Sequence, residues 1–328
     1  LIARLPDGVL FVIGAREPVE DYLNFYQSPR LNYLTGFLEP DAALVAVKSK
    51  GSVSPTLFVQ PRDPAREVWT GSRLGVQGAQ QQTGLKARET RELLPTLDSL
   101  AAVGSSFFVV GDFPGDGLGS DGMPLSGDQQ LMLALQRRHP GLNVKVVNEP
   151  VDELRGRKSP AELAMIRKAV DVTVMAEREA MKALEPGMNE FEIQALIDYT
   201  FRRNGADRPS FGTIVGSGPN STTLHYNADD RFVQPGDIVV MDIGASYQGY
   251  AADVTRSIPA SGTYSPEQRA IYRIVRDAQT AAERQAKLGA QASLMNDAAS
   301  ATIAAGLAQL GLIESPRATY DCVTGEQA

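Results

Sequence analysis

Several features that define other classes of protein are scarce or missing in this sequence. One cysteine, Cys322, cannot form an internal disulfide, which fits a reducing compartment and predicts a cytoplasmic protein. No apolar run approaches the ~18 residues of a membrane span, and no basic stretch leads into an apolar segment near Leu1. We therefore expect neither a membrane anchor nor a signal peptide. The 32 Lys and Arg are outnumbered by 39 Asp and Glu, and the resulting net charge of −7 argues against nucleic acid as a partner.

The length of 328 residues predicts two domains, because single hydrophobic cores rarely grow beyond roughly 250 to 300 residues. Over residues 1–152, short β-branched and aromatic runs alternate with helical stretches, so this part is predicted to be an α/β domain. The predicted strands cover residues 9–13, 43–47, 56–59, 107–110 and 144–147, and the predicted helices lie around residues 91–101 and 128–138.

A second domain is predicted over residues 153–328, where strong helix starts appear. Ser159, Asn189 and Ser265 are each followed three residues later by Glu or Gln, which is the pattern of a capping box. Strand-like runs at 213–215, 238–243 and 250–258 lie between the second and third of these helices. The order helix, helix, antiparallel strands, helix predicts an α+β domain.

Two aspartates, Asp242 and Asp253, lie within apolar strand sequence, where an unpaired charge is costly. If the strands fold back through a turn centred on residues 247 and 248, the two aspartates face each other directly. Opposed Cβ atoms lie roughly 4.5 to 5.5 Å apart, close enough for two carboxylates to share two metal ions. The pairing requires a turn of even length, since an odd one places the side chains on opposite faces. The alternative is that both carboxylates only accept hydrogen bonds from turn amides.

The same face of this predicted hairpin carries Thr255, which either orients a carboxylate or is an ordinary strand threonine. His225 lies in a polar loop, residues 218–227, just before the first aspartate strand. It could donate a hydrogen bond to a substrate carbonyl or to a developing oxyanion, although lone loop histidines are often structural. The other histidine, His139, is predicted to be a solvated residue at a helix end.

These motifs resemble a known family, the pita-bread metallopeptidases, and within it the Xaa-Pro aminopeptidases and prolidases. Residues 241–244 with 250–256 are similar to the family's first metal-ligand segment, and residues 224–227 to its substrate-contacting histidine segment. In the first half, residues 33–41 and 62–75 resemble the amino-terminal domain of aminopeptidase P. The resemblance implies a creatinase-like, ribonuclease-H-like α/β domain followed by an α+β pita-bread domain.

The resemblance also implies a mechanism. Two divalent ions, with manganese favoured over cobalt, zinc or magnesium, would be held partly by Asp242 and Asp253. They would activate a bridging water against the carbonyl before proline in Xaa-Pro peptides, with His225 steadying the oxyanion. A tryptophan of the first domain approaches the active site across a subunit contact in related enzymes. This implies a substrate-binding role for Trp69 and a homodimer or homotetramer; the alternative for Trp69 is a partly buried core aromatic.

The sequence departs from the family in one respect, because the family's metal site also uses a later histidine and two later glutamates. No histidine follows His225, and Glu314 and Glu326 lie in sequence without a matching motif. We therefore expect the pita-bread fold and its metal site to be incomplete over these residues. Two alternatives to the peptidase stay open: a non-catalytic pita-bread binding protein and a creatinase-like hydrolase of small molecules.

Overall fold

The computed structural model describes residues 5–20, 23–113 and 124–319. Contacts divide the chain into two compact units, Leu1–Pro160 and Ala161–Ala328. The boundary predicted at 152/153 falls within a helix that runs from Glu149 to Gly156, and it stays a prediction. Cys322 and Glu326 lie outside the described residues.

A six-stranded mixed sheet forms the centre of the first unit. Its strands are β1 (Gly8–Ile13), β2 (Ala43–Ser49), β3 (Ser52–Val59), β4 (Lys86–Glu89), β5 (Phe107–Val110) and β6 (Val144–Val146). The spatial order is β4-β3-β2-β1-β5-β6. The pairs β1–β2 and β2–β3 are antiparallel, whereas β3–β4, β1–β5 and β5–β6 are parallel.

Helices accompany this sheet: α1 (Pro29–Thr35), α2 (Pro64–Thr70), α3 (Gly75–Thr83), α4 (Leu93–Ala102), α5 (Gly127–Arg138) and α6 (Glu149–Gly156). Successive residues of β1 enter different cores, because side chains alternate across a strand. Leu10 and Val12 join one buried cluster, while Val9 and Phe11 join the other. Both faces are covered, which explains why this strand is a continuous apolar run. The predicted α/β architecture is confirmed, and each predicted strand of this unit is present.

The second unit contains four α-helices, one short 3-10 helix (Gly218–Thr222) and two small sheets among its described residues. The helices are α7 (Pro160–Ala183), α8 (Glu190–Arg203), α9 (Pro266–Glu283) and α10 (Ser293–Gln309). The strands are β7 (Arg208–Pro209), β8 (Ile214–Ser217), β9 (Ile238–Ile243), β10 (Ala245–Tyr247), β11 (Tyr250–Ala251) and β12 (Val254–Pro259). One sheet has the order β11-β10-β7 and the other β12-β9-β8. The predicted α+β order is confirmed.

The core of this unit lies between α7, α8 and one face of β9. Val239, Met241 and Ile243 of β9 are fully buried there, against apolar side chains of both helices. Alternation along the strand therefore turns Asp242 toward the opposite face. Capping boxes close the starts of α8, at Asn189, and of α9, at Ser265, as predicted. Among the described residues, none of the helices combines the length and apolar character needed to cross a bilayer.

Candidate metal centre and active site

The hairpin that carries the two aspartates has a different register from the predicted one. Asp242 pairs with Thr255, not with Asp253, and Tyr247 pairs with Tyr250. The predicted direct opposition of the aspartates is therefore wrong. The turn consists of residues 248 and 249, one residue later than predicted, and both have positive φ (50° and 81°). A two-residue turn of this kind needs positive φ at both positions, which Gly249 adopts without strain.

Although the turn lies one residue later than predicted, it still has an even number of residues, as the metal hypothesis requires. Since Asp253 lies two residues before Thr255, the partner of Asp242, both aspartates belong to the same face of the ribbon. They are diagonal neighbours rather than opposed residues. The pKa of Asp253 is raised by burial and then by the charge and hydrogen bonding of Asp242. Two carboxylates in this relation repel each other when both are ionised, and a cation relieves that repulsion.

Side chains around the aspartates hold them in place. Thr255 Oγ1 donates a 2.8 Å hydrogen bond to Asp242 Oδ1, which is the orienting contact proposed for this threonine. Ser210 joins the two strands next to Asp253: its backbone N–H donates to Gly244 O and its Oγ donates to Ala252 O, both at 2.8 Å. The position opposite Asp253 must be glycine, because a Cβ on Gly244 would lie 1.9 Å from Ala252 O.

A cleft of about 400 Å³ brings the predicted site residues of the second unit together. Its lining consists of Phe211, Gly212, Ile214, His225, Tyr226, Asn227, Asp242 and Asp253. His225 and both aspartates thus share one open site, whose volume lies within the usual range for small-ligand pockets. An apolar wall of Phe211 and Ile214 next to carboxylates and an imidazole suits a ligand with both apolar and polar groups.

The aspartate pair supplies two oxygen-bearing side chains, and hard divalent cations prefer such donors. Over the described ranges, no group of three or more His, Cys, Asp or Glu side chains is placed to hold a metal ion. The pair therefore fits a metal as part of a larger donor set.

Trp69 lies on α2 in the first unit, with 78% of its surface exposed. The alternative of a partly buried core aromatic is therefore wrong. Its neighbour Val68 is also exposed, so α2 presents two apolar side chains to solvent. The side chain of Asp63 caps α2 by accepting from the backbone N–H groups of Ala65 and Arg66.

His139 of the first unit caps the end of α5, and its Nε2 lies 2.9 Å from Asp98 Oδ1.

Sequence reasoning missed two buried glutamates of the second unit. Glu177 of α7 is 4% exposed, and neither of its carboxyl oxygens has a hydrogen-bond partner among the residues that the structure describes. Burial raises the pKa of Glu177 to about 8; the Arg256 guanidinium opposes this shift and the Asp242 charge adds to it. The available signal was the spacing of Glu177 with buried Thr173 and Ala180, which places an acid on the apolar stripe of α7. The other residue is Glu190, which is fully buried at the start of α8.

Comparison with known proteins connects both units to one family. Residues 1–108 match the amino-terminal domain of aminopeptidase P, and residues 164–325 match metallopeptidase family M24. The chain is 34% identical over 285 residues to the Xaa-Pro aminopeptidase of Escherichia coli strain K12, covering 86% of this chain and 64% of that protein. It therefore spans less than two thirds of the length of this curated relative.

Solved structures give the same result. Pseudomonas aeruginosa aminopeptidase PepP is 30% identical, with a TM-score of 0.83 over 96% of this chain and 72% of that chain. A zinc-substituted Escherichia coli aminopeptidase P in complex with product is 29% identical, with a TM-score of 0.82 over 94% of this chain and 71% of that one. The second unit is thus of the pita-bread metallopeptidase class, whose cofactors are divalent metal ions. The chain belongs to the aminopeptidase P family of the M24 metallopeptidases.

Proposed function

We propose that this chain carries the aminopeptidase P active site and takes part in hydrolysis of the bond between an amino-terminal residue and proline. The observation that carries this proposal is the convergence of His225, Asp242 and Asp253 on one cleft in a chain of this family. The substrates would be Xaa-Pro peptides. Such a bond has a tertiary amide without a hydrogen on nitrogen. Recognition therefore depends on the proline ring, for which Phe211 and Ile214 offer apolar surface.

Asp242 and Asp253 would hold the divalent ions, with manganese as the first choice and cobalt, zinc or magnesium as alternatives. A bound metal supplies Lewis-acid activation of water and of the carbonyl group. Thr255 orients Asp242 for this role through its hydrogen bond. His225, on the same cleft, is the group that would donate a hydrogen bond to the oxygen of the attacked carbonyl.

Trp69 is proposed to contact substrate from a second copy of the chain, in a homodimer or homotetramer. Its exposure supports this role, because a large apolar side chain on the surface gains from being covered. Sedimentation of wild type and of Trp69→Ala tests the assembly. We also propose a cytoplasmic location, on the basis of the single cysteine, which cell fractionation would test.

One observation favours the non-catalytic alternative: the described residues supply two metal donors rather than a full set. Calorimetric titration of the 328-residue protein with Mn²⁺ separates metal binding from catalysis. We expect binding by wild type and its loss in Asp242→Asn and in Asp253→Asn. The matched control is Asp171→Asn, an exposed position on α7, which should bind as wild type does. Equal binding by all four proteins would contradict the metal assignment.

Activity is measured in the same preparations with Mn²⁺ and the peptides Ala-Pro-Ala and Ala-Ala-Ala. Cleavage of the first peptide alone supports the peptidase, and its loss in His225→Ala supports the oxyanion role. Metal binding without cleavage of either peptide favours the binding protein. Turnover of creatine in place of both peptides would point to the creatinase-like alternative.

A further inference from the structure

Glu190 is the first residue of α8 and is fully buried, yet α8 does not need its carboxylate. The helix start is already closed by Asn189, whose side chain accepts from the Phe191 N–H, and by Glu192, which accepts from the Asn189 N–H at 2.6 Å. A buried carboxylate is costly unless it is hydrogen-bonded. The side chain of Glu190 must therefore serve something other than the cap.

The carboxylate of Glu190 binds both ends of the loop that carries His225. At the start of the loop, Oε1 accepts from the Ser217 N–H at 2.6 Å and from Ser217 Oγ at 2.7 Å. At its end, Oε2 accepts from the Arg231 N–H at 3.0 Å. The side-chain amide of Asn220 lies 3.3 and 3.4 Å from the two oxygens. One side chain thus gathers donors from three positions along residues 217–231.

The hydrogen-bond donor to Glu190 that lies in the proposed active site is Tyr226, the residue after His225. Its hydroxyl donates to Glu190 Oε2 at 2.8 Å, while both Tyr226 and His225 line the cleft with the two aspartates. The hydrogen bonds from Ser217, Arg231 and Tyr226 outweigh the effect of burial and lower the pKa of Glu190. The carboxylate is therefore ionised at neutral pH, the state in which its oxygens accept all of these bonds.

From this arrangement we propose that Glu190 is a positioning residue, which fixes the loop and, through Tyr226, holds His225 in the cleft beside Asp242 and Asp253. The inference rests on the proposed function for its consequence in catalysis, but the placement of His225 can be measured without any activity. Tyr226→Phe removes the hydroxyl and its 2.8 Å bond to Glu190, together with the longer contacts of that hydroxyl with Asp230 Oδ1 and the Asp230 N–H at 3.2 and 3.4 Å. Glu190→Gln replaces one acceptor oxygen by an N–H₂ group, which faces donors rather than acceptors.

The test uses the scarcity of histidine in this chain. Protein labelled with ¹⁵N-histidine shows imidazole signals from His139 and His225 only, so His139, beside Asp98 in the first unit, is an internal reference. We expect the His225 signals to broaden or split in Tyr226→Phe and in Glu190→Gln, while those of His139 stay unchanged. Tyr199→Phe and Glu185→Gln are exposed, matched controls that should resemble wild type.

Unchanged His225 signals in folded Tyr226→Phe and Glu190→Gln proteins would overturn the inference. Should Glu190→Gln fail to fold, Tyr226→Phe decides alone, since it leaves the Ser217 and Arg231 bonds intact. In an active preparation, we expect Tyr226→Phe to lower kcat by about 10- to 100-fold with KM little changed, as for other residues that orient a catalytic group. Altered His225 signals in a protein without peptidase activity would support the positioning role while contradicting the proposed function.

Discussion

The buried carboxyl of Glu177, near Asp242 of strand β9, allows a quantitative test of how burial and charge change its pKa. Its pKa of about 8 in the folded protein lies above the ordinary value of 4.5. A carboxyl whose pKa is raised by folding favours the folded state below its unfolded pKa, and this stability is lost as the pH rises through the folded value. With ~1.4 kcal/mol for each unit of pKa, the full loss is about 5 kcal/mol, of which about 2 to 3 kcal/mol falls between pH 6 and pH 8.5.

The perturbation is Glu177→Gln, which keeps the shape of the side chain and removes its ionisation. Burying an amide without partners also has a cost, but that cost does not depend on pH. We therefore expect the free energy of unfolding of Glu177→Gln, relative to wild type, to increase by about 2 to 3 kcal/mol from pH 6 to pH 8.5. The matched control is Glu179→Gln on the same helix, an exposed residue paired with Lys182, which should show little change.

Hydrogen exchange of the α7 backbone amides measures this quantity in the second unit by itself. The protein is treated with EDTA, so that no cation near Asp242 alters the ionisation of Glu177. Rates are corrected for intrinsic exchange at each pH, and only the difference between variant and wild type is compared. A difference that stays constant across this pH range would refute the reasoning, because the carboxyl would then have a partner that compensates its charge.

The remaining predictions concern the loop and hairpin around the site. Asp229 is 2% exposed, and burial raises its pKa to about 6, so its contribution to stability is lost as the pH rises from 3.8 through 6. Asn tolerates the positive φ of this position, and the free energy of unfolding of Asp229→Asn in urea, relative to wild type, should increase by about 2 to 3 kcal/mol from pH 4 to pH 8. A difference that does not change with pH would contradict this expectation. Gln248→Asn should stabilise the hairpin by about 0.5 to 1 kcal/mol, since Asn-Gly is the preferred pair for this turn, and a lower melting temperature would argue against the assigned turn. Gly244→Ala should displace the strand beside Asp253, because its Cβ would clash with Ala252 O and with Ser210 Oγ. Calorimetry should then show weaker Mn²⁺ binding, and wild-type affinity in this variant would contradict the expected displacement.

The strands of the hairpin that carries Asp242 and Asp253 could be predicted from the sequence, but their register could not. Strands β9 and β12 were predictable, since β9 is an apolar run and β12 is rich in β-branched residues. The exact turn was not, because a Gln-Gly pair is a weak signal and strand sequence is compatible with neighbouring registers. In the folded hairpin, positive φ at Gln248 and Gly249 places the turn one residue later and moves Asp253 from opposite Asp242 to a diagonal position.

Strand β4 was missed for a different reason. Its sequence, Lys86–Glu89, is charged at three of four positions, and only Ala87 is buried. Such a strand at the edge of a sheet is formed by pairing with β3 and not by its own apolar pattern. The exposure of Trp69 also could not be predicted from the sequence, because a single aromatic residue in a short helix has no periodicity from which its burial can be inferred.

The sequence by itself determined the local elements and the nature of the site: helix starts come from caps a few residues apart, strands from apolar runs, and the metal hypothesis from two acids in apolar surroundings. Only the tertiary structure decided which groups meet. Ser217, Tyr226 and Arg231 converge on Glu190 from separate positions along the chain, and Glu177 lies near Asp242 although it belongs to a distant helix. The physical reason is that hydrogen bonds and charges act over a few ångströms in space, whereas sequence patterns report neighbours along the chain.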